Sequence, residues 1–337
     1  MFGVCLYRSG ILGCCMAFAC ITGCGHSGTA PVNATKREPT ALHRGPLSDY
    51  VPSAGLRWLF VGSPQAFAQR SEFLTAFQQL MPKARLDAFA ASSGVELRTL
   101  PEGCIAGFDY GTVYLARVTK DTARVRERFE TRLVSDAVRK SPQAGVWRVT
   151  GLIANTPESL LVVDDDFAAI SVGDPLLVRV VESFALGRLK KSSPALMGAA
   201  LSTLPKDLAS APLRFYAPGP FRETWAQGVQ GLLARAYAVG AAFAPSEGGA
   251  IKIHLVITGA FGPDVAESRE RILKTWGALL SSPVGHVLEL EHGLKPGTFV
   301  LEVRDDQATL DFAVDAQLLM KGLSTAVAGD TKSLFDG

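Results

Sequence analysis

One pattern occurs twice in this chain, and it limits the possible folds more than any other feature. Gly111 to Val118 reads as a strand, Lys120 to Ser135 as a helix with Val125, Phe129 and Leu133 on its apolar stripe, and Val146 to Ile153 as a strand. Leu160 to Val163 and Phe167 to Val172 then read as a hairpin around Asp164-Asp165-Asp166, and Asp174-Pro175 opens a helix that runs to Leu186. About 140 residues further on the order returns. Ile251 to Ile257 is a strand. Gly262-Pro263-Asp264 opens a helix carrying Val265, Ile272, Trp276 and Leu279, and His286 to Leu290 is a strand. Phe299 to Val303 and Thr309 to Val314 form a hairpin around Asp305-Asp306, and Asp315 caps a last helix to Val327. Arg126-Glu127-Arg128-Phe129 even matches Arg269-Glu270-Arg271-Ile272. An amphipathic helix must bury its stripe, and an antiparallel sheet offers a face for it. The pattern therefore predicts an α+β fold of two diverged β-α-β-β-β-α modules, with antiparallel sheets covered by helices on one face. The first module would span residues 55–205, with added N-terminal helices, and the second 206–330.

The flanking segments have their own signals. Leu56 to Val61 is a strand by aliphatic and aromatic content. Ser63-Pro64 supplies an N-cap and an N1 proline for a helix whose apolar face holds Phe67, Phe73, Leu74, Phe77, Leu80 and Met81, and Pro82 ends it. A second helix, Lys83 to Ser92, stops at Gly94. Between the modules, Ser193-Pro194 opens a short helix and Leu213 to Tyr216 is a strand. Phe221 to Phe243 reads as a long helix whose many Ala and Gly residues imply close packing. Arg222, Glu223, Gln227, Gln230 and Arg235 break its apolar run, which argues against a membrane span.

The N-terminus carries an address. Arg8 precedes an apolar run from Ile11 to Ile21, and Ile21-Thr22-Gly23-Cys24 closes it. Those four residues resemble the lipobox of bacterial lipoproteins: an aliphatic residue, two small ones, then the cysteine that takes lipid. The resemblance implies a signal peptide over 1–23, a mature chain that starts at Cys24, and a thioether-linked diacylglycerol there, often with a third chain such as palmitate on the amine. Each buried methylene adds about 0.8 kcal/mol, so two or three chains anchor stably where one does not. Two alternatives compete. Ala17-Phe18-Ala19 fits plain signal cleavage with a shortened apolar region, and Ile11-Leu12-Gly13-Cys14 has almost no apolar core before its cysteine. The run is too short for a span of about 20 residues. Residues 24–54, with Pro31, Pro39, Pro46 and Pro52, read as a flexible tether. Lipoproteins with aspartate after the cysteine are typically kept at the inner membrane. Gly25 in that position makes the periplasmic face of the outer membrane the expected location, with secreted or soluble periplasmic protein as the alternative.

Composition narrows the function classes. Hydrophobic residues make up 47% of the 337-residue chain and charged residues 20%, as in packed globular proteins. The formal charge is +2, and loss of Arg8 with the signal leaves +1, so no nucleic-acid partner is expected. Of six cysteines, Cys5, Cys14, Cys15 and Cys20 fall in the signal and Cys24 takes lipid. Cys104 would remain alone, a small buried hydrophobe.

Chemistry-bearing motifs are sparse. Asp164-Asp165-Asp166 lacks the spacing of a calcium loop and reads as a turn. His254, His286 and His292 with Glu289 and Glu291 would approach a zinc set only if their strands paired, and the parity of the glutamates opposes it. No nucleophile elbow, metalloprotease helix or phosphate loop is present. No catalytic, metal-binding or cofactor-binding residue and no cofactor is therefore expected. Gly94-Val95-Glu96-Leu97-Arg98, Ala211 to Phe221 and the repeated unit resemble an uncharacterised family of secreted and lipid-anchored proteins of Gram-negative bacteria. That resemblance implies no activity. The expectation is an envelope protein held to a membrane through Cys24, with a non-catalytic binding or scaffold role toward an envelope protein or the cell wall. A hydrolase with residues scattered in sequence is one alternative. A carrier of a hydrophobic ligand, which requires an apolar cavity, is another.

Overall fold

The aliphatic and aromatic runs of both modules pair into a single sheet. In this computed structural model, residues 41–328 are described apart from 119, 121, 135–136, 190–191, 222–231, 263, 283–284 and 287. The strands are β1 (Leu56–Gly62), β2 (Gly103–Phe108), β3 (Gly111–Arg117), β4 (Val138–Gln143), β5 (Val146–Ile153) and β6 (Thr156–Val163). They continue with β7 (Phe167–Val172), β8 (Leu213–Pro218), β9 (Ala236–Pro245), β10 (Ala250–Gly259), β11 (Val300–Val303) and β12 (Gln307–Asp315). All twelve join in the order β11-β12-β10-β9-β8-β1-β2-β3-β7-β6-β5-β4. Every pairing is antiparallel. The repeat is visible in that order: β3-β7-β6 at one end mirrors β10-β12-β11 at the other.

The helices are α1 (Pro64–Ala68), α2 (Ser71–Leu80), α3 (Lys83–Ser93), α4 (Thr122–Glu130), α5 (Leu176–Ala185), α6 (Val265–Leu280), α7 (Leu290–Gly293) and α8 (Ala316–Ala328). Together with the antiparallel sheet they make an α+β fold. Alternation along the strands sends side chains to two cores. Leu59, Val61, Val113, Leu115, Leu161 and Val256 meet Leu47, Tyr50 and the α5 residues Val178 and Val181. On the other face, Val125 and Phe129 of α4 cover Val149 and Leu160 at one end. Phe73 of α2 and Ile272 of α6 cover Ile253, Ile257 and Leu310 at the other.

Four expectations need correction. The two modules share one sheet, covered by helices on both faces, because β8 and β9 continue pairing from one module into the next. The segment from Ala236 to Pro245, read within a long helix, is the strand β9, paired along both edges. Its small residues serve close packing as expected, but from a strand: Gly240 lies under Leu204 and Leu208. Residues 222–231 of that segment lie outside the described residues. Leu290–Gly293 is helical rather than the end of a strand, with the Gly293 N–H donating to the Glu289 carbonyl at 2.7 Å. Alternation over five residues is too short to separate a strand from one helical turn that buries Leu290. Finally, the C-terminal part of the expected tether is folded. Leu47–Tyr50 forms a 3₁₀ turn, and Leu47, Tyr50 and Val51 are fully buried.

Arg117 holds that turn down. Its guanidinium donates to Glu102 Oε2 (2.9 Å), to the Gly45 carbonyl (2.6 Å) and to Asp166, while Glu102 Oε1 accepts from the Leu47 N–H at 2.9 Å. Burial, and next the Asp166 charge, push the Tyr50 hydroxyl above its usual range. Cys24 and the expected signal lie outside the described residues.

Candidate functional site

On the sheet face shared by α2 and α4, one row of apolar side chains crosses eleven strands. It runs Leu301, Leu310, Leu255, Ala241, Phe215, Phe60, Ile105, Tyr114, Ile170, Leu160 and Val149, each paired with the next. Its two ends lie under helices. Its middle, around Phe60, is bridged by the stretch from α1 to residue 100, and the bridge leaves space.

The placement of α8 creates the first chamber. Gly173, at φ 91°, and Asp174-Pro175 turn the chain after β7 so that α5 packs on one face. After β12 no such turn intervenes, and α8 packs with the core of the opposite face, where α2 lies. Asp315 fixes this junction. Its Oδ1 accepts from the N–H groups of Gln317 (2.9 Å) and Leu318 (3.2 Å), and Oδ2 accepts from Lys295 Nζ at 2.9 Å. Burial alone would raise this carboxyl, but those donors outweigh it and hold it below the usual range. Between α2 and α8 lies a cavity of about 340 Å³, floored by Phe60, Leu213, Phe243 and Ile251 and walled by Phe73, Phe77, Leu319 and Leu323. Apart from Arg98, every one of its lining residues is apolar. Arg98 is engaged at the rim, donating twice to Glu96 at 2.8 Å and once to Asp87 at 3.2 Å. Those bonds from Arg98 hold the Glu96 carboxyl below its usual range.

A second chamber of about 520 Å³ lies between α3 and the strands β1, β2, β3 and β7. Phe89, Val95, Leu100, Tyr114, Ile170 and Val172 line it. Phe60, Pro64 and Leu97 line both chambers, so the two adjoin across that partition. The exposed aromatic members of the second lining, Phe89 (41%) and Tyr114 (45%), mark its mouth. Arg132 and Glu158 are there as well. Burial pushes the Glu158 carboxyl up, with the Arg132 charge opposing. Both volumes fall within the range of about 300–1,000 Å³ common for small-molecule sites, and both linings are mainly apolar, as such sites are.

Residues singled out by sequence lie elsewhere. His254 Nδ1 pairs with Asp311 Oδ1 at 2.9 Å across β10 and β12. His286 lies 3.6 Å from Glu291 and His292 3.7 Å from Glu289. Among the described residues no group of three or more His, Cys, Asp or Glu side chains is placed to hold a metal ion. Asp165 takes φ 57° in the turn expected of it, and Asp166 pairs with Arg117. Cys104 is buried, and burial raises its thiol, an inert setting. A larger polar cleft of about 680 Å³ lies along α4 and the β4–β5 hairpin, where the Arg126 guanidinium covers the Trp147 ring at 4.2 Å. Phe67, Phe73, Phe77 and Leu80, expected on the stripe of one helix, lie on two, α1 and α2, and such a stripe cannot show whether the facing stripe of α8 fills the gap.

No family model matches the chain, and no curated protein matches it. Among solved structures, crystal form III of a protein designated TP0453 superposes with a TM-score of 0.49 at 10% identity, covering 84% of this chain and 99% of that one. Crystal form I of the same protein gives 0.48 at 10% identity, covering 84% and 98%. Likeness at that level carries nothing about function.

Proposed function

We propose that this protein is a lipid-anchored envelope protein, attached through Cys24 at the periplasmic face of the outer membrane, that binds the hydrocarbon part of an amphiphile in the paired chambers. The observation that carries this reading is the near-complete absence of polar lining in the α2–α8 chamber. A peptide placed there would leave its N–H and C=O groups without partners, at a cost of about 1–3 kcal/mol each. A hydrocarbon chain has no such groups. About twelve methylenes would contribute roughly 10 kcal/mol gross. Association costs at least about 4 kcal/mol. The remainder corresponds to a dissociation constant of about 10⁻⁵–10⁻⁴ M. Such affinity suits uptake and release rather than permanent storage.

The test is saturable binding of the apolar fluorophore N-phenyl-1-naphthylamine, displaced by a monoacylglycerol. Ala68 lies at the half-buried rim of the first chamber and Ser93 at that of the second. The expected result is that Ala68→Trp together with Ser93→Trp abolishes displaceable binding without loss of the folding transition. Undiminished binding in that double variant contradicts the reading. The anchor is tested separately: Cys24→Ser is expected to move the chain from the membrane fraction to the soluble one.

A further inference from the structure

Resting on that reading, the chemistry at the mouth of the second chamber specifies a head group. Glu158 sits on β6 opposite Val172. Arg132 follows α4, with its guanidinium 5.5 Å from the centre of the Phe129 ring. Both side chains line the chamber. Among the described residues neither has a side-chain hydrogen bond or an ion-pair partner within 4.0 Å, although the Arg132 charge acts on the Glu158 carboxyl. Opposite charges thus line one apolar chamber without an ion pair between them, and a ligand group that carries both charges can engage each.

We infer that Arg132 and Glu158 select an amphiphile with a zwitterionic head of the phosphoethanolamine type, its phosphate on Arg132 and its ammonium on Glu158. Each partner also repels a competitor. A head bearing only an anion meets the Glu158 carboxylate, and a head bearing only a cation meets the Arg132 guanidinium. Discrimination by an opposing charge is a general route to specificity. The Arg–phosphate and carboxylate–ammonium contacts are the strong, charge-assisted kind. An uncharged head gains from neither.

The experiment uses the full chain and displacement of N-phenyl-1-naphthylamine by three ligands of one chain length: lysophosphatidylethanolamine, lysophosphatidylglycerol and monoacylglycerol. The expected order places the ethanolamine lipid roughly tenfold tighter than the glycerol one, as one added charged hydrogen bond implies. Glu158→Gln is expected to collapse that ratio toward one. Arg132→Gln, at an exposed side chain, is expected to weaken both lysophospholipids more than monoacylglycerol while the folding transition is retained. Equal binding of both lysophospholipids in the wild type and in both variants, with monoacylglycerol still bound, overturns the head-group assignment alone. Failure of monoacylglycerol to displace the fluorophore overturns the cavity reading beneath it. Displacement by free phosphoethanolamine at the same concentrations as the lysolipid would show that head and tail are not read together, and so also overturns the assignment.

Discussion

Replacing Gly240 by alanine separates two readings of the same segment by the sign of the effect. In a helix, glycine to alanine stabilises by up to about 1 kcal/mol. In β9 the added Cβ would lie 2.6 Å from Leu208 Cδ1 and 3.2 and 3.3 Å from the two Leu204 methyls. Carbon atoms prefer about 3.5–4.0 Å. Leu208 is 1% exposed and Leu204 7%, so neither can swing into solvent to make room. Leu208 can yield partly by a small rotation about its Cβ–Cγ bond, which places the cost at the lower end of the overpacking range, about 1–2 kcal/mol. For a chain of this size that corresponds to a fall in Tm of roughly 1.5–3 °C. Differential scanning calorimetry at neutral pH reads it directly. A neutral or raised Tm would refute the packing of Leu204 and Leu208 onto a strand at this position.

Two further outcomes follow from buried charge. Arg117→Met leaves the Asp166 carboxylate, 6% exposed, without its cation, and is expected to cost about 3–5 kcal/mol. Limited proteolysis should then cut first between residues 41 and 50, and resistance equal to wild type would contradict the clamp. Glu158 gives a pH dependence. Its carboxyl is raised by burial above the ordinary 4.5, so the folded state takes up a proton before the unfolded chain does. Its contribution to stability is therefore complete below the unfolded value and lost as pH rises through the folded one. Glu158→Gln should be more stable than wild type at pH 7, with the gap closing toward pH 4.5; a gap that widens on acidification would reverse the assignment.

The repeat was legible because its signals are local. Asp264 caps α6 by accepting from the Glu267 N–H at 2.9 Å, and Asp174 accepts from Leu176 at 2.8 Å. Hairpins with aspartate at the turn need only adjacent residues to form. What the sequence hid depends on distant partners. A run such as Ala238 to Ala242 has no decisive period, and it becomes a strand because β8 and β10 flank it on both edges. Leu47 and Tyr50 lie among prolines that suggest a tether, and the groups that tie them to the core, Glu102, Arg117 and Phe167, lie far along the chain. The chambers were the least legible feature. Phe77 and Leu323 each lie on an ordinary helix face, and their line of sequence says nothing of the space left where the two faces meet above Phe60.

The most direct measurement is a crystal structure of the full chain grown with monoacylglycerol below its micellar concentration. The account expects continuous hydrocarbon density over Phe60, between α2 and α8 or beneath α3, with Phe77, Leu319 or Phe89 in contact. Empty chambers at saturating ligand, or the chain bound against any other surface, would contradict it.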